Sequence, residues 1–169
     1  MIDAKHRRLA NHAGDLDLPF MRILAKFPAW NRKLALMREI RRLGWEVRKV
    51  PKEFTRKFWL RSITLNRTVL LGSRWSKSSV PQQCRVLAHE LVHIRQRKRM
   101  GQAKFLLRYA VAPWRWAMEA SAYRANRLFV GEDPTARAKW LYYFYKLGRM
   151  RKKEVVRETV RVLDRVEVL

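Results

Sequence analysis

The sequence predicts an α+β fold: a mostly helical single domain that carries a small antiparallel sheet. Short segments with the composition of β-strands are confined to residues 45–71, whereas apolar residues at helical spacing dominate the rest of the chain. The chain has 169 residues, of which 48% are hydrophobic, and this is enough to bury one core. The polar residues 1–18 are expected to form a loosely ordered arm, so the predicted domain covers residues 19–169.

The first part of this domain shows helical spacing and then strands. Apolar residues recur on neighbouring helical turns over residues 20–43, with a break near Pro28 and a stop at Gly44. Three strand patterns follow: 45–50, Ser62–Leu65 and Thr68–Leu71. The last two are interpreted as two strands, or as one bent strand, around Asn66-Arg67. After Gly101 the pattern is helical at four places, roughly 102–111, 114–130, 134–147 and 150–168.

A long helix between Ser79 and Gly101 carries the most informative motif of the chain. Ser79 can cap its start together with Gln82, three residues on, and Pro81 fits the first turn. Its buried face is predicted by an apolar stripe at helical spacing: Cys84, Leu87, Ala88, Leu91 and Ile94. The sequence His89-Glu90-Leu91-Val92-His93, an H-E-x-x-H motif, lies at the edge of that face, where a cleft could form.

The spacing of this motif is that of a metal-binding helix. Histidines four residues apart project from one helical face, close enough for both imidazoles to bind one zinc ion. Glu90 would lie beside the metal and take a proton from the zinc-bound water as it attacks a peptide carbonyl. The alternative is a helix whose two histidines are partly buried and only hydrogen-bonded.

A third ligand is needed, because a catalytic zinc site uses three protein ligands and keeps one position open for water. The other two histidines belong to the N-terminal segment, and none follows His93. Over residues 54–131 the only acidic residues are Glu90 and Glu119. Glu119 lies in a segment of strong helix propensity, where Ala120-Ser121-Ala122 permits close approach of two helices. We therefore predict Glu119 as the third ligand; the alternative is an ion pair with a nearby arginine.

Residues 86–127 resemble the gluzincin metallopeptidases, in particular the small, single-domain kind found in phage and bacterial genomes. The resemblance rests on H-E-L-V-H-I-R-Q and on M-E-A-S-A-Y, whose glutamate is separated from His93 by 25 residues. It implies a zincin-like fold, in which the small sheet lies beside the H-E-x-x-H helix. It also implies that His89, His93 and Glu119 bind zinc and that Glu90 is the general base.

Two departures from the gluzincin pattern concern the surroundings of the metal. The gap before Glu119 is longer than in the large thermolysin-like enzymes, and no carboxylate follows Glu119 by four positions to orient a histidine. A backbone carbonyl, Asn126 or Tyr123 would have to take that place. The resemblance further implies that an edge strand pairs with extended substrate. Thr68–Leu71 is the candidate edge, and the alternative is an ordinary core strand.

A peptidase also needs a donor for the negatively charged oxygen that forms in the transition state. The candidates near Glu119 are Tyr109, Tyr123 and Arg124. The alternative for each of them is a packing or surface role, because tyrosine and arginine are common in both.

The chain carries 39 Lys and Arg against 14 Asp and Glu, a formal net charge of +25. Such a field attracts polyanions and supports non-specific nucleic-acid binding through phosphate neutralisation. The candidate contacts form two clusters, Arg95, Arg97, Lys98 and Arg99, and then Arg151, Lys152 and Lys153. No zinc-finger or RNP sequence is present, and an anionic membrane surface or an acidic protein are alternative partners.

These observations support two main hypotheses for function. The first is a zinc-dependent metallopeptidase, a hydrolase of protein or peptide substrates. The second is a basic nucleic-acid-binding protein whose zinc site is structural or inactive, and a third is a zincin-like fold that has lost activity. No apolar run is long enough to span a bilayer, no signal-peptide core is present and Cys84 has no partner for an intrachain disulfide, so a cytoplasmic location is expected.

Overall fold

The computed structural model describes residues 1–15, 18–50, 62–65, 67–72, 74–129, 133–145, 147 and 150–164. Within these residues the chain forms eight α-helices: α1 Ala4–Asp15, α2 Leu18–Ala25, α3 Ala29–Arg42, α4 Val80–Met100, α5 Gln102–Ala110, α6 Ala112–Asn126, α7 Pro134–Phe144 and α8 Lys152–Asp164. The other described elements are β1 Glu46–Lys49, β2 Ser62–Leu65, β3 Thr68–Leu71 and a short 3₁₀ helix, Trp75–Lys77. The predicted α+β class, mostly helical with a small sheet, is confirmed.

The N-terminal residues form a packed helix, so the prediction of a loosely ordered arm over 1–18 is wrong for residues 1–15; residues 16–17 lie outside the described part. The buried residues His6 and Ala10 lie four positions apart on one side of it, and the buried Ile2 precedes its first residue, Ala4. This side packs against α6. The Ile2 N–H also donates to Glu154 Oε1 at 2.9 Å, which ties the start of the chain to α8. Ile2 is the one large apolar residue among these three positions. The sequence pattern is therefore too weakly hydrophobic to predict this packing.

β3 is the central strand of the sheet, whose order is β1-β3-β2. It pairs in parallel with β1 and antiparallel with β2, in a register that places both Val47 and Thr64 opposite Val69. The predicted antiparallel pairing is therefore present between β2 and β3, and β1 makes the sheet mixed. The prediction that Thr68–Leu71 is an edge is wrong, because both of its sides are paired. Among the described residues the edges are β1 and β2.

The predicted boundaries of the helices before and around the motif are confirmed. α2 and α3 match the helical pattern of residues 20–43, and Gly44 ends it with a φ of 81°. α4 begins at the capping box of Ser79 and Gln82 and ends at Gly101, whose φ of 82° is a conformation that favours glycine. The downstream helices occur as α5 to α8, but α6 and α7 end earlier than expected, at Asn126 and Phe144. Residue 130 and residues 165–168 lie outside the described part of the chain.

Two apolar clusters hold the helices together, and α6 lies between them. The first joins α2, α3, β3 and α4 and includes Met21, Leu36, Ile40, Val69, Cys84, Leu87 and Leu91. The second joins α1, α6, α7 and α8 and includes Ile2, Trp116, Leu141, Val155 and Leu163. Ala122 and Ala125 of α6 belong to the first cluster and Ala117 and Ala120 to the second, so residues 116–126 are all buried. No helix in the described ranges is both long and apolar enough to cross a bilayer.

Candidate metal centre

The two motif histidines lie side by side on the buried face of α4. Their ring centroids are 4.7 Å apart and their Nε2 atoms approach to 3.1 Å. His89 is 9% exposed and His93 is 6% exposed, so neither is a surface residue. Two ring nitrogens at this distance require a proton or a cation between them, because their lone pairs would otherwise repel.

Glu119 reaches the same point from α6. Its Oε2 lies 3.3 Å from His89 Nε2, and its Oε1 lies 3.2 Å from His93 Nε2. The side chain is 1% exposed, and no residue in the described part of the chain donates a well-formed hydrogen bond to its Oε2. The three residues offer ligand atoms within 4.8 Å of one another and could hold a metal ion. The structure thus brings together the three residues predicted as ligands.

The electrostatics of this cluster favour a cation. Burial alone would disfavour the ionised form of Glu119, but the two imidazoles facing it outweigh this effect and hold the pKa of the carboxyl well below its ordinary value. Burial would likewise lower the pKa of His93, but the nearby carboxylates of Glu119 and Glu90 outweigh it and raise that pKa. The buried carboxylate therefore stays ionised and stabilises positive charge on His93 or a cation between the two rings.

Gln96 fixes the orientation and the tautomer of His93. Its amide nitrogen donates to Met118 O at 3.2 Å and to Ser121 Oγ at 2.7 Å, both on α6. The amide oxygen therefore faces His93 Nδ1, at 2.9 Å, and that ring nitrogen must carry the hydrogen. In the neutral ring Nε2 then keeps its lone pair, directed at the cluster, as a metal ligand requires. The sequence interpretation missed Gln96, whose one signal is its position three residues after His93 on the same helical face.

Asn126 lies beside the other histidine. Its Nδ2 is 3.4 Å from His89 Nδ1, while its buried Oδ1 accepts no hydrogen bond. Turning the carboxamide over would place Oδ1 against an Nδ1–H of His89, satisfy the buried oxygen and leave Nε2 for a metal. Asn126 is thus one of the two side chains predicted to support a histidine that the structure places beside His89. The other, Tyr123, packs its ring with a centroid distance of 4.6 Å from that of His89.

Tyrosines surround Glu119 and His89. The Tyr109 hydroxyl donates to Glu119 Oε1 at 2.6 Å, and burial together with the Glu119 charge raises the pKa of this phenol far above its ordinary value. The hydroxyls of Tyr123 and Tyr145 are 3.5 Å apart, and burial also raises the pKa of Tyr145. The sequence interpretation missed Tyr145. Arg124 is buried on α6 but is rotated by about 140° from Glu119 around the helix, so it lies on a different side.

Glu90 is held from the sheet. It is 5% exposed, and the Thr64 hydroxyl on β2 donates to its Oε2. The backbone carbonyl of Thr64 accepts in turn from Arg97 Nη2. Arg97 follows Glu90 by seven residues and therefore lies on the same face of α4. Glu90 is thus connected through one residue of β2 to a buried cation.

The burial of Arg97 corrects its prediction as a polyanion contact. Arg97 is 9% exposed, and its guanidinium stacks over the Phe105 ring at 4.5 Å, where burial lowers its pKa. The prediction used only the charge of Arg97. Charge does not reveal that other elements pack against this side of α4 and bury the guanidinium. Arg95 is half-buried and pairs with Glu39 at 3.0 Å. The remaining predicted contacts are exposed: Lys98, Arg99, Arg151, Lys152 and Lys153.

One family model matches the part of the chain that carries the motif helix. It is the eCIS core domain, a type from phage-like extracellular contractile injection systems, and it matches residues 48–101. The matched range includes the H-E-x-x-H motif but ends before Glu119, and it covers less than half of the chain. The match fits a protein of phage or bacterial kind. No curated protein and no solved structure matches the chain.

Proposed function

We propose that this chain is a zinc-dependent metallopeptidase that hydrolyses peptide bonds by Glu-assisted attack of water. The observation that carries the proposal is the convergence of two histidine Nε2 atoms and the Glu119 carboxylate, with separations from 3.1 to 3.3 Å. An H-E-x-x-H helix joined by a glutamate from a second helix is the gluzincin pattern that the sequence resembles. The family match to residues 48–101 supports the phage or bacterial kind.

Zinc fits the donor set and its spacing. Two imidazole nitrogens and one carboxylate oxygen are a common ligand set of catalytic zinc, whereas calcium and magnesium prefer oxygen ligands. Tetrahedral zinc with bonds of about 2.0–2.1 Å requires ligand atoms about 3.3 Å apart. The two imidazole Nε2 atoms are 3.1 Å apart, and each lies 3.2 or 3.3 Å from a different oxygen of the Glu119 carboxylate. Glu119 Oε2, which is buried and accepts no well-formed hydrogen bond from the described residues, would also gain a partner. Zinc bound there supplies a Lewis acid that polarises carbonyls and lowers the pKa of water to about 7.

Glu90 is assigned the proton transfers. The Thr64 hydroxyl binds Glu90 Oε2 and fixes the plane of the carboxylate, which leaves Oε1 to accept a proton from the attacking water. The same oxygen can return the proton to the leaving amine. Arg97 holds the Thr64 carbonyl and is a positioning residue for this pair. Tyr123, whose ring packs on His89, could donate its hydroxyl hydrogen to the oxyanion. Tyr109 donates its one hydroxyl hydrogen to Glu119 Oε1 and would have to release that carboxylate to take the same role.

Among the described strands β2 lies at an edge of the sheet, so it is a better candidate for substrate pairing than the central strand β3. Strand β2 lies against α4, and its Thr64 contacts Glu90, so a peptide added along this edge would pass the proton acceptor. The Thr64 carbonyl is already bound by Arg97. The peptide would therefore pair with the other residues of β2.

An experiment that separates metal binding from catalysis tests the proposal. Zinc per chain is measured by elemental analysis, and cleavage is measured on an unfolded polypeptide such as casein. Wild type should hold about one zinc, which His89→Ala should lose and Glu119→Gln should bind more weakly. Glu90→Gln should keep its zinc and lose cleavage, because the carboxamide cannot accept the proton.

Glu158→Gln is the matched control for these variants. Glu158 is also a buried glutamate, at 3% exposure, but it lies on α8 and pairs with Arg7 and Arg161. This variant should keep both zinc and cleavage. A wild-type chain that binds no zinc after reconstitution would refute the metal site. Cleavage that survives Glu90→Gln would refute the mechanism, and zinc without any cleavage would indicate a fold that has lost activity.

Nucleic-acid binding is a second candidate function, favoured by exposed cations at the start of α8. Arg151, Lys152 and Lys153 are all exposed there, in a chain of net charge +25. Replacing these three with glutamate should weaken retention of duplex DNA and reduce its dependence on salt, while zinc content stays unchanged. Unchanged retention would exclude this surface as the contact.

A further inference from the structure

Helix α5 lies beside the metal cluster and has an exposed apolar side. Its inner side carries Phe105, which is 3% exposed, and Tyr109, which donates to Glu119. Its outer side carries Leu106 and Leu107, which are 49% and 71% exposed. Large apolar side chains that remain exposed as neighbours are a feature of interaction sites.

The outer residues of α5 form one continuous apolar stripe. Its members follow one another at helical intervals of three and four: Ala103, Leu106, Leu107 and Ala110. At about 100° per residue they span roughly 100° of the helix circumference. Val111, which is 46% exposed, follows the last residue of α5 in an extended conformation. Lys104 and Arg108 border the stripe on one side. The solvent-facing side of α5 therefore combines an apolar stripe with a cationic border.

The surroundings of the stripe are cationic. Lys98, Arg99 and Lys104 are exposed, and no acidic residue occurs between Glu90 and Glu119. Those two glutamates are themselves buried at the metal cluster. A partner that covers the stripe must therefore offer apolar surface and negative charge at the same place.

We propose that this face docks on an anionic lipid bilayer, with α5 lying in the plane of the interface. Leu106 and Leu107 would enter the boundary between headgroups and acyl chains, while the flanking lysines and arginines contact anionic headgroups. A second copy of the chain fits less well, because the same cations would face each other. A nucleic acid would satisfy the cations but would leave both leucines without an apolar partner.

Co-sedimentation of the full chain with lipid vesicles tests this proposal. The vesicles are made of phosphatidylcholine alone or of phosphatidylcholine mixed with phosphatidylglycerol. Wild type should bind the anionic vesicles and not the neutral ones. Leu106→Gln/Leu107→Gln should bind them about tenfold more weakly or worse, because two leucines lose their apolar burial. Glutamine has a helix propensity close to that of leucine, so α5 should persist.

Ile23→Gln/Leu34→Gln is the matched control. Ile23 is 59% exposed and Leu34 is 39% exposed, but they lie on α2 and α3 rather than on one helical stripe. This variant should bind vesicles like wild type. Thermal unfolding and zinc content of both double variants check the fold, and Leu107→Gln alone repeats the test if the double variant does not fold.

Several outcomes would overturn the proposal: no binding to anionic vesicles, equal binding to neutral ones, an unaffected α5 variant, or the same loss in the control. Binding of polyglutamate or duplex DNA that depends on Leu106 and Leu107, without vesicle binding, would assign the face to an acidic macromolecule. Catalysis is not measured, so failure here is distinct from failure of the peptidase proposal.

Discussion

The two histidines of α4 belong to one motif but are held in unequal ways. His93 Nδ1 is 2.9 Å from Gln96 Oε1, and the Gln96 amide nitrogen is bound to two oxygens of α6. His89 Nδ1 is 3.4 Å from the Asn126 amide, whose Oδ1 has no hydrogen-bond partner. The His93 side is therefore a closed hydrogen-bond network, whereas the His89 side depends mainly on packing against Tyr123.

This difference teaches that spacing along one helix positions two imidazoles without deciding which nitrogen carries the hydrogen. For His93 that decision comes from α6, through Gln96, because the carbonyl of Met118 can only accept and so orients the amide. A metal ligand needs both the position and the tautomer. The unequal support predicts unequal costs when each supporting side chain is removed.

The largest effect is expected from Gln96→Met, which keeps the volume of the side chain and removes its hydrogen bonds. Zinc affinity should fall about 10- to 100-fold, as is typical when a hydrogen-bond partner of a metal-binding histidine is lost. Competition with a chromophoric chelator measures this affinity. Gln83→Met is the control, since Gln83 is also a buried glutamine of α4 but donates to Trp75 O and Ser78 O. Equal zinc affinity in Gln96→Met and Gln83→Met would show that Gln96 does not support the metal site.

A smaller effect is expected from Asn126→Leu, which replaces the amide with an apolar group of similar shape. Because the contact to His89 is long and one amide oxygen is unpaired, zinc affinity should fall by about tenfold or less. The same chelator competition gives the value. A loss as large as that of Gln96→Met would show that the two histidines are equally supported, and the comparison would then fail.

The smallest effect is expected on the opposite face of α4, where Arg95 pairs with Glu39. A hydrogen bond from Arg42, opposed by burial and reinforced by Arg95, lowers the pKa of Glu39. Because the pKa of Glu39 is lower in the folded state than in the unfolded state, its ionised carboxylate stabilises the fold at pH values above the unfolded-state pKa. This contribution is lost as the pH falls through the folded-state pKa. Glu39→Gln should therefore reduce the free energy of unfolding by about 1 kcal/mol or less at neutral pH, without changing zinc affinity.

Urea unfolding of wild type and Glu39→Gln checks this prediction. The difference between their unfolding free energies should shrink as the pH is lowered into the acid range. A difference that stays constant would mean that the Glu39 charge is not its cause.

Much of the candidate site was predictable because its signals are local or scarce. His89 and His93 follow from spacing on one helix, and both ends of α4 follow from Ser79 and Gly101. Glu119 follows from scarcity, since it is one of two acidic residues in a long basic stretch. The structure brings all three predicted ligands together, in a group that could hold a metal ion.

The remaining features depend on packing partners that are distant in sequence. Thr68–Leu71 has the same local pattern whether it is central or at an edge, and its place is decided by pairing with β1 on one side and β2 on the other. Gln96 is an ordinary polar residue until Met118 and Ser121 are placed beside it. Arg97 is one cation in a cationic run, and only its stacking on Phe105 distinguishes it from Lys98.

The position of the ligands on two different helices also bears on stability. One cysteine cannot form an intrachain disulfide, but an ion held by His93 and Glu119 would close a loop of 25 intervening residues between α4 and α6. A covalent cross-link over such a loop stabilises a fold by about 3–4 kcal/mol, mainly by restricting the unfolded chain. Helix α6 contributes to both apolar clusters. A chelator that removed such an ion would therefore also weaken the packing between the two clusters.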